Sequence, residues 1–202
     1  MIEITELQRD ALVEAFNIGI GQAAASLAAL VQDEVKLSVL SLQLLPPEEA
    51  YRRFSFQEER KISAVSQRFS GAFNALGFLI FPEDQGLEIV RRMVGETLSL
   101  QELTELEREA MSEIGNILLN ACVGTLANLF QSELQSSLPT YLLGTPEEVL
   151  SENLGSEVVL LLHLNLTLEQ NHTRGYVAFL LNLDAVHQLL AQVDRFIARI
   201  GN

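Results

Sequence analysis

Hydrophobic residues dominate two long stretches of the chain, one near its start and one near its middle. Residues 5–31 and 104–130 both have the apolar periodicity of helices of about six turns. Between residues 11 and 21, only Glu14 and Asn17 interrupt the apolar and glycine positions. Because residues at i and i+3 share one face of a helix, this carboxylate and this amide are predicted to lie side by side.

A different pattern, alternation of apolar and polar residues, predicts strands elsewhere. The segments are 34–46, 61–81 (a hairpin broken near Gly71), 158–168 and 174–183, the last two as a pair. Residues 46–60 are predicted to be a polar connector, and residues 140–157 a loop with a short helical turn.

The two helical stretches are copies of one pattern at an offset of 99 residues. TELQRDALVEAFN near the start aligns without a gap with TELEREAMSEIGN near the middle. In each copy Gln or Glu follows the threonine by three residues, which predicts a capping box at the start of the helix. The alignment duplicates the E-x-x-N pair, matching Glu14 with Glu113 and Asn17 with Asn116.

A second correspondence, at an offset of 100 residues, relates 78–94 to 178–193, each a short strand, a turn and a helix. The chain is therefore predicted to be a single domain, residues 1–202, made of two similar halves (about 1–100 and 101–202). We expect an α/β fold of two layers, with long helices packed on an antiparallel or mixed sheet and an internal pseudo-twofold repeat.

The chemistry of the duplicated pairs has several interpretations. Asp10 and Glu109 extend the polar strips one turn backward, and Asn120 extends the second strip forward. A plain solvent-facing strip is one interpretation. A metal site would need more ligands, and acid–base catalysis by Asp10 with Glu14, or by Glu109 with Glu113, would need a pocket with little water. In the remaining interpretation, the amide orients a water molecule and the carboxylate holds a cationic group of a docked protein.

The net charge of the chain indicates which kinds of partner to expect. The 202 residues carry a formal net charge of −14, with Lys36 and Lys61 as the only lysines. Such a field repels nucleic acid, so no nucleic-acid partner is expected, and a docking protein would present a basic patch. We also predict no membrane span, because no segment approaches 18 consecutive apolar residues. The chain start lacks the features of a secretory signal and Cys122 is the single cysteine, so a cytoplasmic protein is expected.

At the duplicated residues the sequence resembles the CheC/CheX/FliY family of chemotaxis phosphatases, which remove the phosphoryl group from the aspartate of the response regulator CheY. The family signature is an acidic residue or serine, three residues, Glu, two residues, Asn, about 22 residues, then Pro. The first copy has Asp10, Glu14 and Asn17, and the second has Glu109, Glu113, Asn116 and Pro139.

Two departures from the signature lie in the first copy. Leu40 stands at the position of the proline, and Phe16 precedes Asn17 where glycine is common. We expect Phe16 to crowd a docking partner and to make this copy the poorer site.

The resemblance implies roles for the site residues. Asn17 and Asn116 would align the attacking water, and Glu14 and Glu113 would pair with a lysine of the partner. The neighbouring positions Asp10, Glu109 and Asn120 would bind the partner. The chain would have no metal or cofactor of its own, and Mg²⁺ would belong to the response regulator.

The same resemblance also permits a role without catalysis. The chain would then be a chemotaxis or flagellar-switch adaptor that binds a phosphorylated receiver domain or a CheD-type deamidase. A scaffold has no reason to keep both Glu/Asn pairs, which favours the phosphatase.

Overall fold

The computed structural model describes residues 4–31, 34–54, 61–94, 100–150, 158–168 and 171–200. Along the chain they form α1 (Glu6–Val31), β1 (Val35–Leu45), α2 (Pro47–Phe54), β2 (Ile62–Gly71), β3 (Ala75–Pro82), α3 (Glu83–Val94), α4 (Leu100–Phe130), β4 (Leu134–Ser136), β5 (Thr140–Gly144), α5 (Pro146–Leu150), β6 (Val158–Leu168), β7 (Asn171–Leu181) and α6 (Leu183–Ile200). The long helices and the strand pairs are where the periodicity predicts them.

The starts of the two long helices differ. At α1 the predicted capping box forms: Thr5 N donates to Gln8 Oε1 (3.0 Å) and Gln8 N donates to Thr5 Oγ1 (3.2 Å). At α4 the prediction is wrong, because the helix begins at Leu100 and Thr104 lies inside it. Glu107, the predicted capping partner, is buried. A helix cap contributes only about 1 kcal/mol of stability, so it does not prevent the helix from starting one turn earlier.

The sheet contains the internal symmetry that the sequence repeat predicts. In the described residues its order is β1-β6-β7-β3-β2-β4, with β5 also on β2, and every pairing is antiparallel. The central strands pair Phe78 with Ala178, and Leu76–Leu180 and Ile80–Tyr176 lie equally on either side. The pseudo-twofold axis therefore passes between residues that differ by the 100-residue offset. β1 and β5 each pair with a strand of the other half, which ties the halves together.

One face of the sheet carries α1, α3, α4 and α6 over the main hydrophobic core. The helices α1 and α4 come close at Gly19, where a Cβ would lie 2.7 Å from Ala121 O and 2.9 Å from Thr125 Oγ1. Only glycine allows this approach of the two backbones. By length and hydropathy alone, Glu6–Leu30 and Leu106–Phe130 are apolar enough to cross a membrane. Here their apolar residues pack on the sheet and on each other, as in core helices.

The other face of the sheet carries the two short helices α2 and α5 over a smaller core that includes Ala50 and Val149. The predicted polar connector is thus wrong for residues 47–54, which form α2, while residues 55–60 lie outside the described part. Pro47 at its first position and the early glutamates with late arginines suit the ends of a helix. The predicted loop at 140–157 is wrong for Thr140–Gly144, which pair with β2.

Candidate functional site

Both polar strips lie on the surface of the long helices. On α1, Asp10, Glu14 and Asn17 are exposed. On α4, Glu109 and Glu113 are exposed, whereas Asn116 and Asn120 are half-buried. In the part of the chain that the structure describes, neither Glu14 nor Glu113 has an ion-pair partner. Both carboxylates are therefore available to a cation from outside.

In the first strip, the amide of Asn17 contacts the neighbouring edge strand. Val39 N donates to Asn17 Oδ1 at 3.4 Å. The pairing of β1 with β6 shifts between Val39 and Ser41, which leaves Leu40 without a partner in β6. Such a bulge disrupts the ladder locally and bends the strand. Leu40 is 52% exposed beside this contact.

In the second strip, the amide of Asn116 belongs to a larger hydrogen-bonded network. Asn116 Oδ1 accepts from Gln67 Nε2 (3.2 Å) and from Asn120 Nδ2 (2.8 Å). Gln67 Nε2 also donates to Ser137 O (2.9 Å), and Asn120 Nδ2 to Asn116 O (2.8 Å). The network joins α4 to β2 and to the chain between β4 and β5. Among the described residues, the side chain of Asn120 donates to Asn116 and to Gln67.

The edge of the sheet is interrupted at this second site. Between β4 and β5, Ser137 N donates to Arg68 O (2.9 Å), and Arg68 N donates to Ser137 Oγ (3.0 Å). Leu138 follows and is 87% exposed, and Pro139 is half-buried. Because proline has no N–H, it suits a break in an edge strand. Each asparagine thus lies near an irregular edge strand that exposes a leucine.

Phe16 does not crowd the first site, contrary to the prediction. Its side chain is 0% exposed and stacks on Phe179 with the ring centroids 5.8 Å apart. At the equivalent position of α4, a Cβ on Gly115 would lie within 3.0 Å of Cβ, Cγ1 and Cγ2 of Val65. The phenylalanine fills the core under α1, whereas the glycine lets α4 approach β2 closely. At this position the two copies therefore differ beneath the helix, and Phe16 leaves the exposed strip of α1 unobstructed.

Sequence reasoning missed Gln67 and Ser137, which support Asn116. One signal was present: Gln67 alternates with Val65 and Phe69, so it is a polar residue on the apolar face of a strand. Its partners are 49 and 70 residues away, and no local pattern identifies them. Among the described residues, no group of three His, Cys, Asp or Glu side chains could hold a metal ion.

Comparisons with known proteins agree with the sequence resemblance. The chain has the fold of the CheC/CheX/FliY proteins, as the sequence resemblance predicted. It is 29% identical over 154 residues to the CheY-P phosphatase CheC of Bacillus subtilis (strain 168), covering 75% of this chain and 73% of that protein. No protein-family model matches the chain.

Solved structures agree on the fold. Thermotoga maritima FliY superimposes with a TM-score of 0.79 and 16% identity over 96% of this chain and 100% of that chain. The FliM middle domain from H. pylori gives 0.67 and 11%, over 94% and 99%. CheX in its complex with CheY, BeF3 and Mg²⁺ from Borrelia burgdorferi gives 0.52 and 16%, over 85% and 97%.

Proposed function

We propose that this chain is a phosphatase that hydrolyses the phosphoaspartate of a CheY-like response regulator in chemotaxis or related two-component signalling, at two sites. The observation that carries the proposal is the duplicated Glu/Asn pair, with each asparagine oxygen held by the protein's own groups. The homology to CheC supports the same class of partner. The reaction takes place in the cytoplasm, where the regulator is phosphorylated.

In this proposal each asparagine positions water and does not react itself. With Oδ1 occupied, Nδ2 donates a hydrogen bond to one lone pair of a water molecule, and the other lone pair attacks phosphorus. The P–O bond to the aspartate breaks, its electrons return to the carboxylate, and the water proton leaves with inorganic phosphate or solvent. Holding water in line supplies the entropic part of catalysis. A hundredfold acceleration needs only about 2.7 kcal/mol.

The glutamates anchor the partner in the same scheme. Glu14 and Glu113 are exposed carboxylates that would pair with a lysine next to the phosphoaspartate. Asp10 and Glu109, one turn away, add negative charge that steers a cationic surface. The exposed Leu40 and Leu138 provide apolar contact area beside the two asparagines. The Mg²⁺ that neutralises the phosphoryl group would be held by ligands of the regulator.

Phosphate release from a purified receiver domain tests the proposal. A CheY-like receiver is phosphorylated with acetyl phosphate, freed of the donor, and followed with and without a substoichiometric amount of this chain. We expect multiple turnovers and at least a tenfold faster decay. Asn128→Ala, which changes an exposed asparagine elsewhere on α4, serves as the control and keeps full activity. If this chain does not change the rate at which the receiver loses its phosphoryl group, the proposal is contradicted.

The alternative is an adaptor that binds the phosphorylated receiver, or a CheD-type protein, without hydrolysis. The likeness to the FliM middle domain is the observation that favours it. Binding of a receiver activated with beryllofluoride, combined with an unchanged phosphoaspartate lifetime, would support this alternative.

A further inference from the structure

Gln67 lies between the helix that carries Asn116 and the irregular edge of the sheet. We propose that Gln67 is the positioning residue of the second site, fixing the amide of Asn116 in the orientation that water alignment requires. The inference rests on the proposed function and adds a residue on another element to its site.

Gln67 is buried among apolar side chains, where a glutamine is less favourable for packing than an apolar residue. The side chain is 1% exposed and projects from β2 on the same face as Val65 and Phe69, which belong to the main core. An amide buried at such a position costs free energy unless its hydrogen bonds are satisfied. An apolar side chain of the same length would fill the space without this requirement.

The hydrogen bonds of Gln67 converge on Asn116. Its Nε2 donates both to Asn116 Oδ1 (3.2 Å) and to Ser137 O (2.9 Å), which uses both of its protons. Its Oε1 accepts from Asn120 Nδ2 at 3.4 Å, and Asn120 in turn donates to Asn116 Oδ1. Every partner of the amide is thus the target asparagine, its neighbour or the fixed backbone of the edge segment.

The Asn116 amide could adopt two orientations that exchange Oδ1 and Nδ2, and this arrangement favours one of them. Two donors meet at Oδ1, so turning the amide over would place Nδ2 against two N–H groups and lose both hydrogen bonds. The observed orientation leaves Nδ2 without an acceptor among the described residues, and so available to water. In the first site, the backbone N–H of Val39 makes the corresponding contact with Asn17 Oδ1. The two sites achieve the same orientation by different means.

Single-site backgrounds isolate the effect of Gln67. In Asn17→Ala, where only the second site remains, Gln67→Met is expected to lower kcat at least tenfold with KM changed less than twofold. A lower kcat at constant KM marks a loss of alignment and not of docking. In Asn116→Ala, where only the first site remains, the same Gln67→Met should leave the kinetics unaltered. Ser63→Ala is the matched control, because it removes another buried polar group from the same face of β2.

A second measurement does not depend on phosphatase activity. The order parameter of the Asn116 side-chain N–H₂ group, from ¹⁵N relaxation, should be high in the wild-type chain and fall in Gln67→Met, but not in Ser63→Ala. The inference would be overturned if Gln67→Met lowered kcat equally in both backgrounds, or if it left kcat unchanged in the Asn17→Ala background. It would also be overturned if Gln67→Met left the Asn116 order parameter unchanged. Were the wild-type chain to lack phosphatase activity, the proposed function would fail, while the order parameter would still decide whether Gln67 fixes Asn116.

Discussion

The two asparagines each follow a glutamate by three residues, yet their amides are held by different groups. A backbone N–H from a bulged strand contacts Asn17, whereas two side-chain amides contact Asn116. The glutamates three residues earlier have no such support and are exposed. At the residue scale, the protein restrains both asparagine amides and leaves both glutamates exposed, which is the arrangement that the proposed roles require.

Removing both carboxylates should weaken docking more than chemistry. Glu14→Gln combined with Glu113→Gln is expected to raise KM about tenfold, equivalent to about 1.4 kcal/mol, with a smaller change in kcat. The salt dependence of KM should also become weaker. Steady-state phosphate release at two ionic strengths measures both effects. Glu147→Gln removes the same charge from the opposite face of the sheet and should leave KM alone; an equal effect there would show that only net charge matters.

Glu107 makes a pH-dependent contribution to stability. Burial raises the pKa of this carboxyl above its ordinary value of 4.5, and hydrogen bonds from Tyr141 and Ser63 oppose the shift. Its Oε1 has no hydrogen-bond partner in the described part of the chain. As the pH rises above 4.5, the unfolded chain releases this proton before the folded chain does, so the folded state loses stability over that interval.

The substitution Glu107→Gln removes this titration while keeping the shape of the side chain. The variant should be more stable than the wild type near pH 8, and the difference should shrink as the pH falls below 4.5. Urea unfolding at pH 4 and pH 8 measures the free energies. A difference independent of pH would mean that Glu107 titrates alike in both states.

At the scale of elements, the spacing between α4 and β2 decides where Asn116 lies. Gly115 faces Val65 with no room for a Cβ, whereas Gly124 on the same helix has nothing within 4 Å of that position. Alanine substitutions at these two glycines therefore distinguish the effect of packing, at Gly115, from the effect of helix propensity, at Gly124.

The expected effects have opposite signs. Gly115→Ala should destabilise the chain by about 1–3 kcal/mol through overpacking and should lower the activity of the second site. Gly124→Ala should stabilise it by roughly 0.5–1 kcal/mol, since alanine is the better helix former. Urea denaturation of both variants provides the comparison. Stabilisation by Gly115→Ala would contradict the close approach of α4 to β2.

Element prediction succeeded where one local pattern dominates, and it failed where two local signals compete or where pairing is distant. Periodicity and the offset repeat predicted α1, most of α4, the central hairpins and the fold class. The start of α4 was wrong because a capping signal competes with a preceding turn that also favours helix. Strand β5 was missed because its five residues are ordered by the free edge of β2, over 70 residues earlier. The network of Gln67 was missed for the same reason.

At the scale of the whole molecule, the repeat places the two sites near opposite edges of one sheet. Asn17 contacts β1 at one edge, and Asn116 is linked through Gln67 to the chain between β4 and β5 at the other. Sites this far apart with no shared partners should act independently. The net charge of −14 would attract a basic partner surface to either one.

The most direct measurement is the turnover of phosphorylated receiver by the wild type, by Asn17→Ala and Asn116→Ala separately, and by the double variant. We expect each single variant to keep the activity of its intact site, with the two activities adding to that of the wild type. The double variant should lose all acceleration while its urea unfolding stays within about 1 kcal/mol of the wild type. A folded double variant that still accelerates phosphate release at the wild-type rate would contradict the account.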